Sequence, residues 1–254
     1  MLLAIDIGNT QTDFGLFDSF ELLATYRVAS RHELTLEEAQ ASFTLFFQSK
    51  GWAFSLVNRV VISSVVPTLT GIYQALSEAL FRLTPKVLGP GLKSGLKIVT
   101  DNPKEVGADM IAASVGAKER YGPRCLIADF GTATKIFLLD SQGAFAGCTI
   151  GAGLGLQAMS LSSKAALLPE VSLQIPPHFL GKNTSDSMNS ALTYGNAFAV
   201  KALCDAMEKE AGYPCKRILS GGYATYIKDL FPEFIYEPNL VLFGLAYIES
   251  KNTK

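Results

Sequence analysis

Asp6-Ile7-Gly8-Asn9-Thr10-Gln11-Thr12, near the start of the chain, decides how the rest is read, because it has a counterpart in the middle: Asp129-Phe130-Gly131-Thr132-Ala133-Thr134-Lys135. Each copy follows an apolar run (Leu2 to Ile5; Leu126 to Ala128) and precedes another (Phe14 to Phe17; Ile136 to Leu139). A strand, a tight turn and a returning strand account for that pattern. Each turn gathers one carboxylate, a glycine that lets a ligand approach the backbone, and several hydroxyl or amide groups. A carboxylate at a strand end can hold Mg²⁺ while turn amides take phosphate oxygens. The plain alternative is an ordinary hairpin with Asn-Thr turn chemistry. Two such turns facing each other across a cleft suit a nucleoside triphosphate and its metal, and the repetition favours this over the plain alternative.

Outward from the two turns, each half repeats one order. In the first, strands at Leu2–Ile5, Phe14–Phe17 and Glu21–Val28 precede a helix from about Leu34 to Ser49, whose face is Leu36, Ala39, Phe43, Phe46 and Phe47. A β-branched run, Val60–Val65, reads as a buried parallel strand, followed by a helix over Leu69–Leu83. Short strands are predicted at Lys86–Leu88 and Lys97–Val99. Pro103 opens a further helix. In the second half, strands at Leu126–Asp129, Ile136–Leu139 and Ala144–Ile150 precede helices over Gly155–Leu168 and Asp186–Ala211. A strand at Arg217–Leu219 and closing helices at Ala224–Leu230 and Asn239–Glu249 complete it. Duplication of one α/β unit explains the repeated order, with the boundary near residues 114–122 and no Pro- or Ser-rich linker marking it.

Composition narrows the classes. Hydrophobic residues make up 48% of the 254 and charged residues 18%, as in a compact globular chain. The net charge of −1 comes from 22 basic and 23 acidic residues that are scattered, so no basic stripe points to nucleic acid. Cys125, Cys148, Cys204 and Cys215 lack metal-binding spacing and read as small hydrophobes in a reducing compartment. The opening apolar run meets Asp6 too soon for a signal peptide or a spanning helix, and the expected location is the cytoplasm.

Three further stretches carry possible chemistry. Asp109, flanked by Val106, Ala108, Met110 and Ile111, is either a solvated helix carboxylate or, facing a cleft, a desolvated base for a substrate hydroxyl. Gly151-Ala152-Gly153-Leu154-Gly155 leads from a strand into a helix, and its amides could cradle an anion or simply make a turn. Gly221-Gly222 offers bare backbone against which an adenosine could lie, or is another tight turn. Gly181-Lys182-Asn183-Thr184 has the end of a phosphate-loop motif, but Pro176 stands where its first glycine belongs, which excludes that motif.

Taken together, the phrases Asp6-Ile7-Gly8-Asn9-Thr10, Asp101-Asn102-Pro103-Lys104-Glu105-Val106-Gly107-Ala108-Asp109, Asp129-Phe130-Gly131-Thr132-Ala133-Thr134 and Gly181-Lys182-Asn183-Thr184 resemble the type III pantothenate kinases. That family lies in the acetate and sugar kinase/Hsp70/actin superfamily, and the resemblance spans essentially the whole chain. It implies an α/β fold of duplicated ribonuclease H-like (actin-like ATPase) domains, each a mixed five-stranded sheet with flanking helices, divided as 1–114 and 115–254. It implies ATP-dependent phosphorylation of pantothenate, the first step of coenzyme A synthesis, by a homodimer. Asp109 would be the general base. Asp6, Ile7, Gly8, Asn9, Thr10, Gln11 and Thr12, with Thr132, would hold ATP, and Asp6 its Mg²⁺. Asp129 would bind a monovalent cation, K⁺ or NH₄⁺. Gly107, Ala108, Asp109, Met110 and Thr184 would line the pantothenate site across the dimer interface.

Three positions depart from the family pattern: Met110 replaces an arginine, Thr100 a tyrosine and Lys135 a threonine. The first two remove an anion-binding guanidinium and a phenol, a loss on the order of 1–3 kcal/mol for a charge-assisted contact. A kinase of a related small hydroxy acid, or a nucleotide-binding regulatory paralogue, is therefore the alternative. In a hairpin centred on Thr132, residues 129 and 135 face each other with Cβ atoms about 5 Å apart. The Lys135 ammonium is thus expected either beside Asp129, replacing the monovalent cation, or pointing outward into water.

Overall fold

The structure, a computed structural model, describes residues 1–253. In chain order its strands and helices are β1 (Leu2–Ile7), β2 (Gln11–Asp18), β3 (Glu21–Ala29), α1 (Leu36–Ser49), β4 (Arg59–Ser64), α2 (Pro67–Phe81), β5 (Lys86–Val87), α3 (Ala108–Tyr121) and β6 (Cys125–Phe130). There follow β7 (Ala133–Leu139), β8 (Phe145–Ala152), α4 (Leu154–Lys164), α5 (Thr184–Ser190), α6 (Asn196–Ala211), β9 (Lys216–Ser220), α7 (Ala224–Ile227), β10 (Ile235–Tyr236) and α8 (Leu240–Lys251). Two five-stranded sheets result, ordered β3-β2-β1-β4-β5 and β8-β7-β6-β9-β10. Strand for strand the second repeats the first, and in both the first two pairings are antiparallel and the others parallel. This is the duplicated, mixed-sheet architecture expected of ribonuclease H-like domains.

Both central strands are apolar runs because helices cover both of their faces. In β1, Leu3, Ile5 and Ile7 point into a core shared with Phe43, Phe46 and Phe47 of α1 and Leu69, Tyr73 and Leu76 of α2. Leu2 and Ala4 point the other way, onto Ala112 and Val115 of α3 and Leu242, Leu245 and Ile248 of α8. Strand alternation therefore assigns Asp6 to the α3 side and Ile7 to the α1 side. In β6, Leu126, Ala128 and Phe130 share a core with Ala197, Val200 and Cys204 of α6, so Asp129 belongs to the opposite face.

The chain divides into two compact units: residues 1–96 and 102–119 with the segment from Leu240 onward, and residues 97–101 with 120–239. These units differ from the expected division at 114/115 in two respects. The boundary falls at the end of α3, and the C-terminal helix returns to the first unit. The cause is backbone packing: a Cβ on Gly244 would lie 1.7 Å from the Ala112 carbonyl, and one on Gly116 would lie 2.4 Å from that of Leu240. Only glycine lets α3 and α8 come this close.

Two predicted helices are shorter than their patterns, and a third changes its winding. Pro103–Glu105 is a single 3₁₀ turn, Val106 is extended, and α3 starts only at Ala108. α4 stops at Lys164 instead of Leu168, leaving the residues before Pro169 in a turn. The helix predicted over Asp186–Ala211 is helical throughout, from Thr184, but widens to a π-helical turn at Ala191–Gly195, where Asn196 Nδ2 donates to the Leu192 carbonyl and to Gln157 Oε1. The predicted strand near Lys97–Val99 is one bridge, between Ile98 and Phe145. Among the described residues, no helix is long and apolar enough to cross a membrane.

Candidate active site

In the first unit, Asp6 is the half-buried member of an otherwise buried strand. The ladder sets it opposite Asp13 on β2 and beside Ser63 on β4. Asp13 is engaged by Arg27, and Ser63 is fully buried with a hydroxyl that lacks any hydrogen-bond partner. The Gly8 amide donates to the Gln11 carbonyl at 3.0 Å, closing a turn whose Asn9, Thr10 and Gln11 are exposed. Ile7 and Thr12 face the α1–α2 core and are fully buried, Thr12 Oγ1 lying 2.9 Å from Ser30 Oγ. Strand alternation turns both side chains away from the face that carries Asp6. What the turn offers a ligand is Asp6, Gly8, Asn9, Thr10 and Gln11.

Asp109 occupies the first turn of α3, the helix covering the sheet face to which Asp6 belongs. A carboxylate there meets the positive end of the helix dipole. Its Oδ1 accepts from the Met110 amide at 2.8 Å, and a Cβ on Gly107 would lie 2.5 Å from the same oxygen. Gly107 is glycine because the carboxylate folds back over it. Met110 is 6% exposed, so it belongs to the core of the unit and is not an open wall for a ligand. Ala108 and Asp109 remain half-exposed.

In the second unit, Asp129 holds the same place in β6 that Asp6 holds in β1, with the same burial along the strand. Opposite it stands Lys135, whose Nζ lies 2.8 Å from Asp129 Oδ2. Two glycine-rich segments that look independent in the sequence converge on this turn. Gly153 donates to the Thr132 carbonyl at 3.1 Å, and a Cβ on it would lie 2.3 Å from that oxygen. Gly221, at φ +92°, would set a Cβ 2.4 Å from Asp129 Oδ1. The Tyr223 amide donates to the Phe130 carbonyl, and the Tyr223 hydroxyl rests on Gly155. Beside them opens a cavity of about 400 Å³ lined by Gly155, Met159, Ser162, Leu173, Tyr223 and Tyr226, within the usual range of small-ligand sites. Thr134 takes the buried face, as Thr12 does, and its hydroxyl has no partner.

Sequence reasoning missed Ser63, Tyr223 and Tyr226. No local pattern marks them, because each meets the site through a strand pairing or loop contact remote in the chain. Thr184 is exposed at the start of α5, where Asn183 caps the helix through the Asp186 amide at 2.8 Å. Gly181 packs on the Ser187 amide, so Gly181-Lys182-Asn183-Thr184 acts locally as a helix cap.

Among the described residues no three His, Cys, Asp or Glu side chains converge on a metal. Mg²⁺ needs no such cage, since one carboxylate with water and substrate phosphates suffices; Asp6 at the mouth of its turn fits that requirement. The buried thiols of Cys125 and Cys204 are pushed up to about 11 and about 12 by burial, which keeps both protonated and inert.

Comparison with known proteins shows the family and the fold. The family described as type III pantothenate kinase matches residues 2–206. A type III pantothenate kinase from Myxococcus xanthus is 40% identical over 254 residues, covering 99% of both chains. Among solved structures, a protein described as a Baf family transcriptional activator from Campylobacter jejuni superposes with TM-score 0.60 at 18% identity, covering 98% of each chain. One described as a 2-dehydro-3-deoxygalactonokinase from Sinorhizobium meliloti superposes with TM-score 0.58 at 12% identity, covering 99% of this chain and 96% of its own. At those identities the two structures share the fold.

Proposed function

The chain belongs to the type III pantothenate kinase family, and from that premise we propose that it transfers the γ-phosphoryl group of ATP to the terminal hydroxyl of pantothenate, yielding 4′-phosphopantothenate and ADP. The observation that carries this is full-length identity to such a kinase combined with a carboxylate, Asp109, pinned at a helix N-terminus by its own backbone. Asp109 accepts the hydroxyl proton as the substrate oxygen bonds to the γ-phosphorus and the bond to the ADP oxygen breaks. Phosphoryl transfer asks the protein mainly for positioning and charge stabilisation. Exposed donors of the Gly8–Gln11 turn, with Thr132, hold phosphate oxygens. Asp6 would hold Mg²⁺, which when bound would supply charge neutralisation to the phosphate oxygens. The adenosine lies against Gly221-Gly222, with Tyr223 and Tyr226 lining its cavity.

Gly107, Ala108 and Thr184 contact pantothenate, and the enzyme works in the cytoplasm as a homodimer. The dimer assignment is supported by an exposed aromatic cluster from either side of Thr184 in the chain: Phe179 and Phe198 are 64% and 56% exposed, Phe198 stacks on Tyr194, and Phe179 packs against both at a tilt. A second copy of the chain covers this cluster.

Coupled detection of ADP release, with pantothenate and then with a panel of small hydroxy acids, tests the reading. Asp109→Asn is expected to lower kcat by about 10²–10⁴-fold while ATP affinity holds. Turnover with another acid and none with pantothenate would transfer the assignment to a related kinase, which the Thr100 and Met110 departures would then explain.

A further inference from the structure

The family resemblance attaches a monovalent cation to Asp129, and the residues around that carboxylate do not fit one. Lys135 faces Asp129 directly across the β6–β7 ladder, its ammonium 2.8 Å from Oδ2. Only 13% of the lysine side chain and 17% of the aspartate are exposed, so this is not a surface pair loosened by water. The second oxygen, Oδ1, is walled by backbone, since a Cβ on Gly221 would lie 2.4 Å from it. In the duplicated hairpin the cross-strand position holds an acid instead: Asp6 faces Asp13, which Arg27 engages. An ion sharing the Asp129 carboxylate would stand close to a fixed positive charge in a partly desolvated site, where repulsion between like charges is strongest.

We propose that Lys135 is a tethered counter-cation that takes the place of a soluble monovalent ion at the Asp129 turn, so that the protein needs neither K⁺ nor NH₄⁺. The ammonium has the required charge, and one of its three N–H donors already reaches Asp129 Oδ2. Because it hangs from the strand opposite, its local concentration does not depend on the salt in the medium. The Gly131–Thr132 turn, two residues beyond Asp129, thereby keeps its electrostatic environment in any buffer. The activity part of the test rests on the proposed kinase reading; the binding part does not.

The full-length protein is dialysed into tetramethylammonium chloride and compared with the same protein in K⁺ or NH₄⁺. Melting temperature, ATP affinity and ADP release are measured, together with the ²⁰⁵Tl resonance of added Tl⁺ as a K⁺ surrogate. The wild type is expected to show no Tl⁺ site that K⁺ displaces, and all other readouts should agree within about twofold across the salts. Lys135→Thr opens the position, and its ATP affinity is expected to fall about tenfold in tetramethylammonium and to recover in K⁺ or NH₄⁺. A wild type stimulated tenfold or more by K⁺, or one with a K⁺-displaceable Tl⁺ site, overturns the proposal. So does a Lys135→Thr protein with undiminished ATP affinity and no response to K⁺. A wild type that releases no ADP in any salt counts against the kinase reading alone, and the Tl⁺ and melting measurements still decide the cation question, even where Lys135→Thr fails to fold.

Discussion

At the scale of single residues, glycines mark the site more sharply than the acids do. Gly107, Gly153 and Gly221 are each held where a methyl group would strike a carboxylate or carbonyl oxygen. Gly107→Ala is predicted to push the Asp109 carboxylate off its seat while leaving the folded core alone. A displacement near 1 Å at a reacting group costs about 10²-fold in rate, so kcat should fall by that order with ATP affinity and circular dichroism unchanged. Normal kcat in Gly107→Ala would mean that the carboxylate relocates freely. The acids Asp6, Asp109 and Asp129 were legible from composition and position in each motif. The burial of the Ile7 and Thr12 side chains was not legible in the motif, because a strand sends alternate residues of a contiguous stretch to opposite faces.

At the scale of elements, helix positions were legible from periodicity, whereas the ends depended on particular contacts. The capping box of α1, in which Thr35 and Glu38 exchange side-chain and backbone hydrogen bonds, sets its start at Leu36, two residues after the Leu34 that periodicity suggested. The π turn at Ala191–Gly195 has no such signature, since Asn196 finds Gln157 only after α4 and α6 come together. The α3–α8 crossing is the most exacting contact. Gly244→Ala forces the two backbones apart, and overpacking of this kind costs about 1–3 kcal/mol. The melting temperature is expected to drop by at least about 2–4 °C. An unchanged thermal melt would show that the helices separate without penalty.

At the scale of the whole molecule, two sheets of matching strand order carry matching acids at the fifth position of their central strands. Duplication was visible in the chain because the repeated motif and the order of elements are both local patterns. Its exact division was not: α8 lies far along the chain from the first unit, and nothing in its composition says which sheet it will cover. The proposed homodimer belongs to this scale. Analytical ultracentrifugation is expected to give about twice the 27.3 kDa chain mass, and Phe198→Glu should yield monomer by placing a charge in the aromatic cluster. A wild-type monomer at micromolar concentration would remove the dimer.

The amino-acid sequence by itself determined the class of fold, the paired acid-bearing turns and the cross-strand register of Asp129 with Lys135, because turn chemistry and a two-residue strand period are short-range properties. Only the tertiary structure decided that Lys135 turns inward onto Asp129, that Met110 is core, and that Gly153, Gly221 and Tyr223 close around one turn. Those outcomes follow from close packing of segments distant in the chain, where a neighbour's backbone, not the residue's own flanks, determines which atom fits.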